Sequence, residues 1–336
     1  LKDKFQGSAL KDGATVKMAE GMAAGEVTAK VGANGTLTDV TTKTNSVMSN
    51  VLDISSVTAL SLNRILMNDV RKRLGDVRST EGAHGAWVRY DGGKLTGSNS
   101  LKNNFTTVQM GIDTVPSQDA PRFGAALAYT RSDADMRRGD ATMDTYSLAL
   151  YGTKFFENGL FVDVIGRAAL SNADYTVDSD KKGSADNTAL SLSGEIGWRY
   201  DATSTLFVEP QAELTYTYTD ADTLKLKNAT SEYLYSFDKV DSLLGRVGFA
   251  AGYTCPEGRG NVYVHASAVH EFLGDATIRS GLNSYKVNGE DTWAEYGIGA
   301  NYNLNKNAYI YAGLERTDGG RLDEEWRAHA GVRLAF

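Results

Sequence analysis

Apolar and polar residues alternate through most of the chain from residue 83 to Phe336. The alternation has the two-residue period of a β-strand, whose successive side chains point to opposite faces. Mean hydropathy is low, at −0.33, and no apolar run reaches the roughly 18 residues of a membrane-spanning helix. A membrane β-barrel combines both properties, because its lipid face is apolar and its lumen is polar. The sequence therefore predicts an all-β fold, an antiparallel transmembrane barrel of about 12 strands.

Strand-like segments are separated by connections of two lengths. The predicted strands lie near 83–92, 103–114, 122–131, 142–154, 159–172, 186–201, 204–220, 236–254, 260–274, 290–303, 307–317 and 324–336. Short turns are predicted at 156–159, 201–204 and 303–307, and longer polar loops at 92–103, 131–142, 172–186, 220–236 and 274–290. Short turns at one end and long loops at the other are typical of outer-membrane barrels, with the short turns in the periplasm.

The phase of the alternation assigns each side chain to one face of its strand. In LFVEPQAELTYTY, Leu206, Val208 and Leu214 share one face, whereas Glu209 and Glu213 share the other. Carboxylates are costly in lipid, so the glutamate face is predicted to line the lumen. The acids predicted to face inward are Asp163, Glu195, Glu209, Glu213, Glu271, Glu295 and Glu315. The inward-facing bases are Arg89, Arg167, Arg199, Arg246, Arg327 and Arg333.

Residues 51–78 interrupt the alternation with a helical period. Apolar residues recur every three or four positions from Val51 to Val77, and five arginine and lysine residues make the segment basic. A barrel of about 12 strands leaves a narrow bore, which one helix of roughly 10–12 Å diameter would fill. We therefore expect residues 51–78 to form an N-terminal α-helix in an acidic lumen, and residues 79–336 to form the barrel.

Residues 1–50 are rich in Gly, Thr, Ala and Lys, and alternate weakly around Val27, Ala29 and Val31. They are either a linker or the last turns of a repetitive β-structure. No signal peptide is visible at the start of the sequence, so the chain is expected to be either soluble or the mature piece of a longer protein.

The sequence gives little support for a disulfide, a metal site, a hydrolase site or a nucleic-acid-binding site. Cys255 is the only cysteine, which excludes an intramolecular disulfide and a cysteine-based zinc site. His265 and His270 fall on opposite faces of one strand and make a poor metal pair. No Ser-His-Asp pattern, phosphate-binding glycine loop or basic patch suited to nucleic acid is visible. No cofactor, metal or nucleic acid is expected.

Several motifs carry a resemblance to a known family. They are MNDVRKRLGDVRSTEGAHGAWVRY, TTVQMGID, FVDVIGRAAL, SGEIGWRY, FVEPQAEL, LLGRVGFAAG and the C-terminal GVRLAF. Together they resemble the translocator domains of autotransporters, the type Va secretion system, and most of all the self-cleaving serine protease autotransporters of enteric bacteria. The resemblance extends over residues 57–336. It implies a monomeric barrel in the bacterial outer membrane that delivers an N-terminal passenger to the cell surface. It also implies periplasmic chaperones, and a barrel assembly machinery that reads the last strand, which ends at Phe336.

In the self-cleaving members of this family the passenger is released by asparagine cyclisation inside the barrel. The resemblance places this reaction at Asn68, with cleavage of the Asn68–Asp69 bond. An amide nitrogen is a poor nucleophile and needs an acceptor and a fixed geometry. The matching motifs supply Asp163 to orient Asn68, and Glu195 and Glu213 to hold water or share a proton that reaches the departing amine. This is a single-turnover autoproteolysis, with no separate substrate expected for this region.

Asp69 departs from the Asn-Asn junction of those family members. Its negative charge beside acidic groups is expected to slow cleavage or shift its pH range, without removing the reacting asparagine. The alternative function is an outer-membrane channel, or an enzyme active at the barrel rim, with a plug helix that is not cleaved. The activity of the passenger and the source of the chain cannot be predicted from these residues.

Overall fold

The computed structural model describes residues 13–20, 25–32, 36–44, 51, 64, 82–97, 100–117, 120–230, 232–280 and 283–336. Near the N-terminus, β1 (Thr15–Glu20), β2 (Gly25–Val31) and β3 (Leu37–Thr44) form an antiparallel sheet in the order β1-β2-β3. Ala29 and Val31 are buried on one face of this sheet. The weak alternation in this part of the sequence therefore belongs to strands.

The rest of the described chain forms one closed sheet. Its strands are β4 (His84–Gly97), β5 (Leu101–Thr114), β6 (Arg122–Met136), β7 (Gly139–Phe155), β8 (Leu160–Val177), β9 (Lys181–Trp198), β10 (Tyr200–Asp201), β11 (Leu206–Thr219), β12 (Asp222–Lys227), β13 (Glu232–Phe237), β14 (Val240–Thr254), β15 (Gly260–Glu271), β16 (Ala276–Ser280), β17 (Asn283–Val287), β18 (Asp291–Asn305), β19 (Ala308–Asp318) and β20 (Leu322–Ala335). Twelve of them form the wall, since β10 is a two-residue continuation and β12–β13 and β16–β17 are hairpins that extend it. β20 pairs with β4 in antiparallel register from Leu322 opposite Gly97 to Ala335 opposite Gly85, which closes the barrel. The predicted antiparallel barrel of twelve strands is confirmed.

The predicted facing of the side chains is also confirmed. In β11, Leu206, Val208 and Leu214 are exposed on the outer surface, whereas Glu209 and Glu213 are buried inside. All seven acids predicted to face inward are buried. At the level of these acids along the barrel axis, the outer surface is a belt of exposed Leu, Ile, Val, Phe and Tyr side chains, which is the surface a lipid bilayer requires.

Several wall strands are longer than predicted, because the alternation inverts at the end of the barrel opposite the chain's C-terminus. In β8, Leu170 lies outside within the apolar belt, but Asn172 and Asp174 follow it on the outer face, and Tyr175 and Val177 are buried inside. Beyond the bilayer the outer face meets water, so the polar residues move outside and the apolar residues inside.

This inversion explains the errors in the predicted loops. The long loops predicted at 92–103, 131–142 and 172–186 are continuous strand hairpins with short turns, and those at 220–236 and 274–290 contain β12–β13 and β16–β17. Strands β13 and β16, one from each hairpin, also pair with each other, with Ser236 opposite Arg279. Polar outward residues in an extended strand resemble loop residues when only the sequence is known.

An apolar core fills the interior at this extended end. We name it the outer apolar cluster; its buried members are Val51, Leu95, Leu101, Phe105, Ala134, Ala141, Met143, Ala169, Ala173, Tyr175, Val177, Ala185, Ala189, Leu224, Leu226, Tyr235, Ile278 and Leu322. The interior is apolar at this end because strands outside lipid bury apolar side chains between themselves, as in a water-soluble protein.

The predicted helix at residues 51–78 lies outside the described residues except for two positions. Val51 and Arg64 have helical backbone conformation, and both are buried. Among the described residues, no helix combines the length and apolar character needed to cross a membrane.

Candidate functional site in the barrel lumen

Three of the predicted site residues are neighbours across adjacent strands. Asp163 in β8 lies directly opposite Glu195 in β9, and Glu195 lies directly opposite Glu213 in β11. All three side chains are buried and face the lumen. We name these three residues the acid row. Directly opposed residues on adjacent strands have Cβ atoms about 4.5–5.5 Å apart, so the row is a continuous band of carboxylates.

One arginine lies next to the acid row and pairs with several carboxylates. Arg246 in β14 is the strand partner of Glu213. Its Nη2 donates to Glu213 Oε2 at 2.5 Å and lies 4.0 Å from Glu195 Oε1, and its Nη1 donates to Glu295 Oε1 at 3.2 Å. The Arg246 side chain is 3% exposed. A single guanidinium therefore faces three glutamates in a water-poor setting, where charge pairing is much stronger than at a surface.

Hydroxyl groups hold the outer members of the row. Thr153 Oγ1 donates a short hydrogen bond to Asp163 Oδ1. Ser193 Oγ and Thr215 Oγ1 donate to the same oxygen of Glu213, at 2.8 and 3.1 Å. These bonds restrict both carboxylates to one orientation, which is what a group that must position a reactant requires.

A second charged cluster lies where the first and last wall strands meet. Arg327 in β20 donates to Asp91 in β4 through Nε at 3.0 Å and through Nη2 at 2.7 Å. Its Nη1 lies 3.4 Å from Glu324 Oε1, and its Nε lies 3.5 Å from Glu315 Oε1. Sequence reasoning placed Arg327 and Glu315 in the lumen, and this is confirmed. It missed Asp91 and Glu324, although Asp91 follows the phase of Arg89.

Arg64 binds to this second cluster from inside the barrel. Its Nη2 lies 3.2 Å from Asp291 Oδ2, and its guanidinium stacks over the Trp293 ring at 3.8 Å. Arg327 Nη1 donates to the Arg64 carbonyl at 3.3 Å. We name Asp291, Trp293 and Arg327 the Arg64 socket. A residue from the segment before β4 is therefore held inside the lumen.

The two junction residues cannot be placed in the same way. Asn68 and Asp69 lie outside the described residues, whereas Asp163, Glu195 and Glu213 are brought together as a row. Arg64, four residues before Asn68, is the nearest described residue of the predicted helix. Within the described ranges, no group of three or more His, Cys, Asp and Glu side chains is arranged to hold a metal ion.

A closed barrel of twelve strands with an apolar outer belt and charged groups in its lumen is a β-barrel membrane protein of the outer-membrane class. The model of the Autotransporter beta-domain family matches residues 86–315. The chain belongs to this family, and it is therefore an outer-membrane barrel.

Three known proteins show how far the similarity extends. The probable autotransporter YcgV of Escherichia coli K12 is 28% identical over 302 residues, which cover 85% of this chain and 31% of that protein. The serine protease pet autotransporter of Escherichia coli O44:H18 is 25% identical over 279 residues, which cover 80% of this chain and 22% of that protein. The chain thus spans less than a third of the length of these relatives. The translocator domain of the autotransporter NalP from Neisseria meningitidis has the same fold, with a TM-score of 0.69 at 14% identity over 86% of this chain and 99% of that one.

Proposed function

We propose that this barrel exports an N-terminal passenger through the outer membrane and then releases it by cyclisation of Asn68. The pore-spanning segment is the helix predicted at residues 51–78. The observation that carries the proposal is the position of Arg64, which lies inside the lumen and precedes the junction by four residues. In an α-helix four residues rise about 6 Å, and we propose that the junction lies this far from Arg64, within the barrel.

The reaction is an intramolecular exchange of acyl partners. Nδ2 of Asn68 attacks its own carbonyl carbon and forms the new C–N bond of a succinimide, while the bond from that carbon to the Asp69 nitrogen breaks. Nδ2 gives up one proton and the Asp69 nitrogen gains one, so no water is consumed. The carboxylates of the lumen accept and return this proton, and a fixed acceptor for the side-chain amide favours the attacking orientation.

Two walls of the lumen offer carboxylates for this role. The resemblance assigns it to the acid row, with Asp163 orienting the amide and Glu195 and Glu213 sharing the proton. Residues four apart lie on nearly the same face of a helix, so the wall that binds Arg64 offers Asp91 as a second acceptor. Asp163→Asn and Asp91→Asn are therefore the informative pair. We expect Asp163→Asn to slow cleavage by at least tenfold and Asp91→Asn to leave the barrel cleaving.

The test follows the intact chain, folded in detergent, by gel electrophoresis and mass spectrometry. We expect a barrel fragment that begins at Asp69 and an N-terminal fragment that ends in a succinimide, one water lighter than the hydrolysed form. Asn68→Ala should remain whole, and Asn63→Ala is the matched control that should cleave normally. A wild-type chain that stays whole, or an Asn68→Ala chain that is cut at the same bond, would show that the proposal is wrong. Asp69→Asn is expected to cleave faster than wild type, because it removes a negative charge beside the acids.

Assembly follows from the same proposal. Phe336 is the exposed last residue, and its backbone pairs with His84 at the closing seam. The barrel assembly machinery is proposed to recognise this last strand, with periplasmic chaperones escorting the unfolded chain. We propose that the barrel works as a monomer.

A further inference from the structure

We propose that the Arg64 socket is an anchor that keeps the passenger bound after the Asn68–Asp69 bond has broken. The inference rests on the proposed function, since it concerns what happens to residues 1–68 once they are no longer covalently attached. Release then takes two steps, which are cleavage of the bond and departure of Arg64 from its socket.

The contacts of Arg64 are those of a specific binding site. Its guanidinium is paired with Asp291 at 3.2 Å and stacked on Trp293 at 3.8 Å, and its side chain is 8% exposed. The cavity that remains around it measures only about 20 Å³, so the side chain fills the space between Trp293, Asp291 and Leu322. A cation that is desolvated over an aromatic face and paired with a carboxylate binds more tightly than an exposed ion pair.

The wall side of the socket is rigid without Arg64. Trp293 packs with Leu244 and Val269 in a buried cluster. Arg327, which donates to the Arg64 carbonyl, is held by two hydrogen bonds from its own guanidinium to Asp91. The site is therefore preorganised, which reduces the cost of binding and slows dissociation.

Cleavage leaves all of these contacts unchanged. The broken bond is four residues beyond Arg64, and the socket contacts join Arg64 directly to side chains of β18 and β20, far from the junction along the chain. Val51 adds a second attachment, since it is buried in the outer apolar cluster. The passenger side of the junction is thus held at two points, while the barrel side continues into β4.

The socket can also be vacated without a large penalty. Asp291 accepts hydrogen bonds from the backbone N–H groups of Arg321, at 2.9 Å, and Thr292, at 3.0 Å, and it keeps both when Arg64 leaves. Its side chain is 17% exposed, so water can replace the guanidinium. An anchor that stays satisfied when empty is suited to delayed release and not to permanent attachment.

The experiment separates cleavage from release in the full chain. The chain is folded in detergent, and cleavage is followed on denaturing gels. Release is followed as the fraction of the N-terminal fragment that still co-elutes with the barrel in size-exclusion chromatography. We expect the wild-type fragment to co-elute, and Arg64→Ala to cleave at the wild-type rate but to release its fragment at least tenfold faster. Trp293→Leu on the wall should do the same.

A matched control and two outcomes decide the matter. Arg73→Ala removes an arginine of the same segment beyond the junction and should leave release unchanged. If Arg64→Ala releases its fragment no faster than Arg73→Ala, the anchor does not exist. If Arg64→Ala abolishes cleavage, Arg64 serves to place the junction, and the anchor proposal is equally overturned.

A second measurement does not depend on cleavage. In an Asn68→Ala chain labelled with fluorotryptophan, the resonance that disappears in Trp293→Phe reports on the socket. Adding Arg64→Ala should shift this resonance, and adding Arg73→Ala should not. No shift with Arg64→Ala would overturn the anchor, even if the cyclisation proposal stands. If this shift is seen but the wild-type chain does not cleave, Arg64 docks in the socket and the proposed cyclisation is wrong.

Discussion

Removal of the Asp113 carboxylate at the closing seam is expected to lower the free energy of unfolding by several kcal/mol. Asp113 in β5 accepts hydrogen bonds from both Nη atoms of Arg333 in β20, at 2.5 Å each, and from Arg122 Nη1 at 2.6 Å. It also accepts from Tyr151 Oη at 3.0 Å. Because β4 lies between β5 and β20, the pair of Asp113 with Arg333 spans the seam that closes the barrel.

Asp113→Asn removes the charge but keeps the shape. Arg333 and the Asp113 side chain are both fully buried, so the substitution leaves one buried guanidinium, and much of a second at Arg122, without a counter-charge. Breaking a buried pair on one side typically costs about 3–5 kcal/mol, and we expect a loss in this range. The same change at a pair that water reaches, Asp241→Asn beside Lys239, should have little effect because water screens that pair.

Gly85 supplies a second and independent variant. It is the strand partner of Asp113, and a Cβ at this position would overlap the guanidinium of Arg333. Arg333 reaches Asp113 across β4 because residue 85 has no side chain. Gly85→Ala should therefore weaken the same pair and lower stability, although it removes no polar group.

Urea unfolding of the barrel reconstituted in vesicles, followed by tryptophan fluorescence, measures these changes. The wild type, Asp113→Asn, Gly85→Ala and Asp241→Asn are compared under one lipid composition. If Asp113→Asn changes the unfolding free energy no more than Asp241→Asn does, the pair does not stabilise the seam. If Gly85→Ala is as stable as wild type, the path of Arg333 across β4 is wrong.

Three further predictions concern the end of the barrel that carries the hairpins. Leu224→Asp, in the outer apolar cluster, buries an unpaired carboxylate, so it should raise the ion conductance of single barrels in planar bilayers. Ser179→Gly should raise the unfolding free energy by about 0.5–1 kcal/mol in urea, because Ser179 has a φ of +65° that glycine adopts without strain. A hydrogen bond from Lys286, with another from the Gly289 N–H, holds the pKa of Asp275 below its usual range, so carbon-13 NMR should show its titration at low pH and Lys286→Ala should raise it. Since the folded-state pKa is the lower one, this pair stabilises the fold above the ordinary pKa of aspartate, and that contribution is lost as pH falls through the lowered value.

The strands and their faces were predictable because alternation is a local property. The position of Glu209 and Glu213 on one face of β11 follows from their spacing alone, and the bilayer decides which face is inward. The strand ends were not predictable in this way. Asn172 and Asp174 lie on the outer face of β8 beyond the apolar belt, and polar residues there are compatible with a loop as well as with a strand in water.

The same distinction between local pattern and tertiary structure applies to the candidate site. The sequence by itself determined that Asp163, Glu195 and Glu213 face the lumen, because each follows the phase of its own strand. Only the tertiary structure decided that they stand side by side, since this depends on the register between β8, β9 and β11.

The contacts of Arg64 and of Asp113 could not be predicted from the sequence. Arg64 meets Asp291 across 227 residues of chain, and Asp113 meets Arg333 across 220. A two-residue period specifies only which face a side chain occupies on its own strand. Which residues meet across the lumen and the seam is decided by the stagger of neighbouring strands and by the pairing of β20 with β4, and these exist only in the closed barrel.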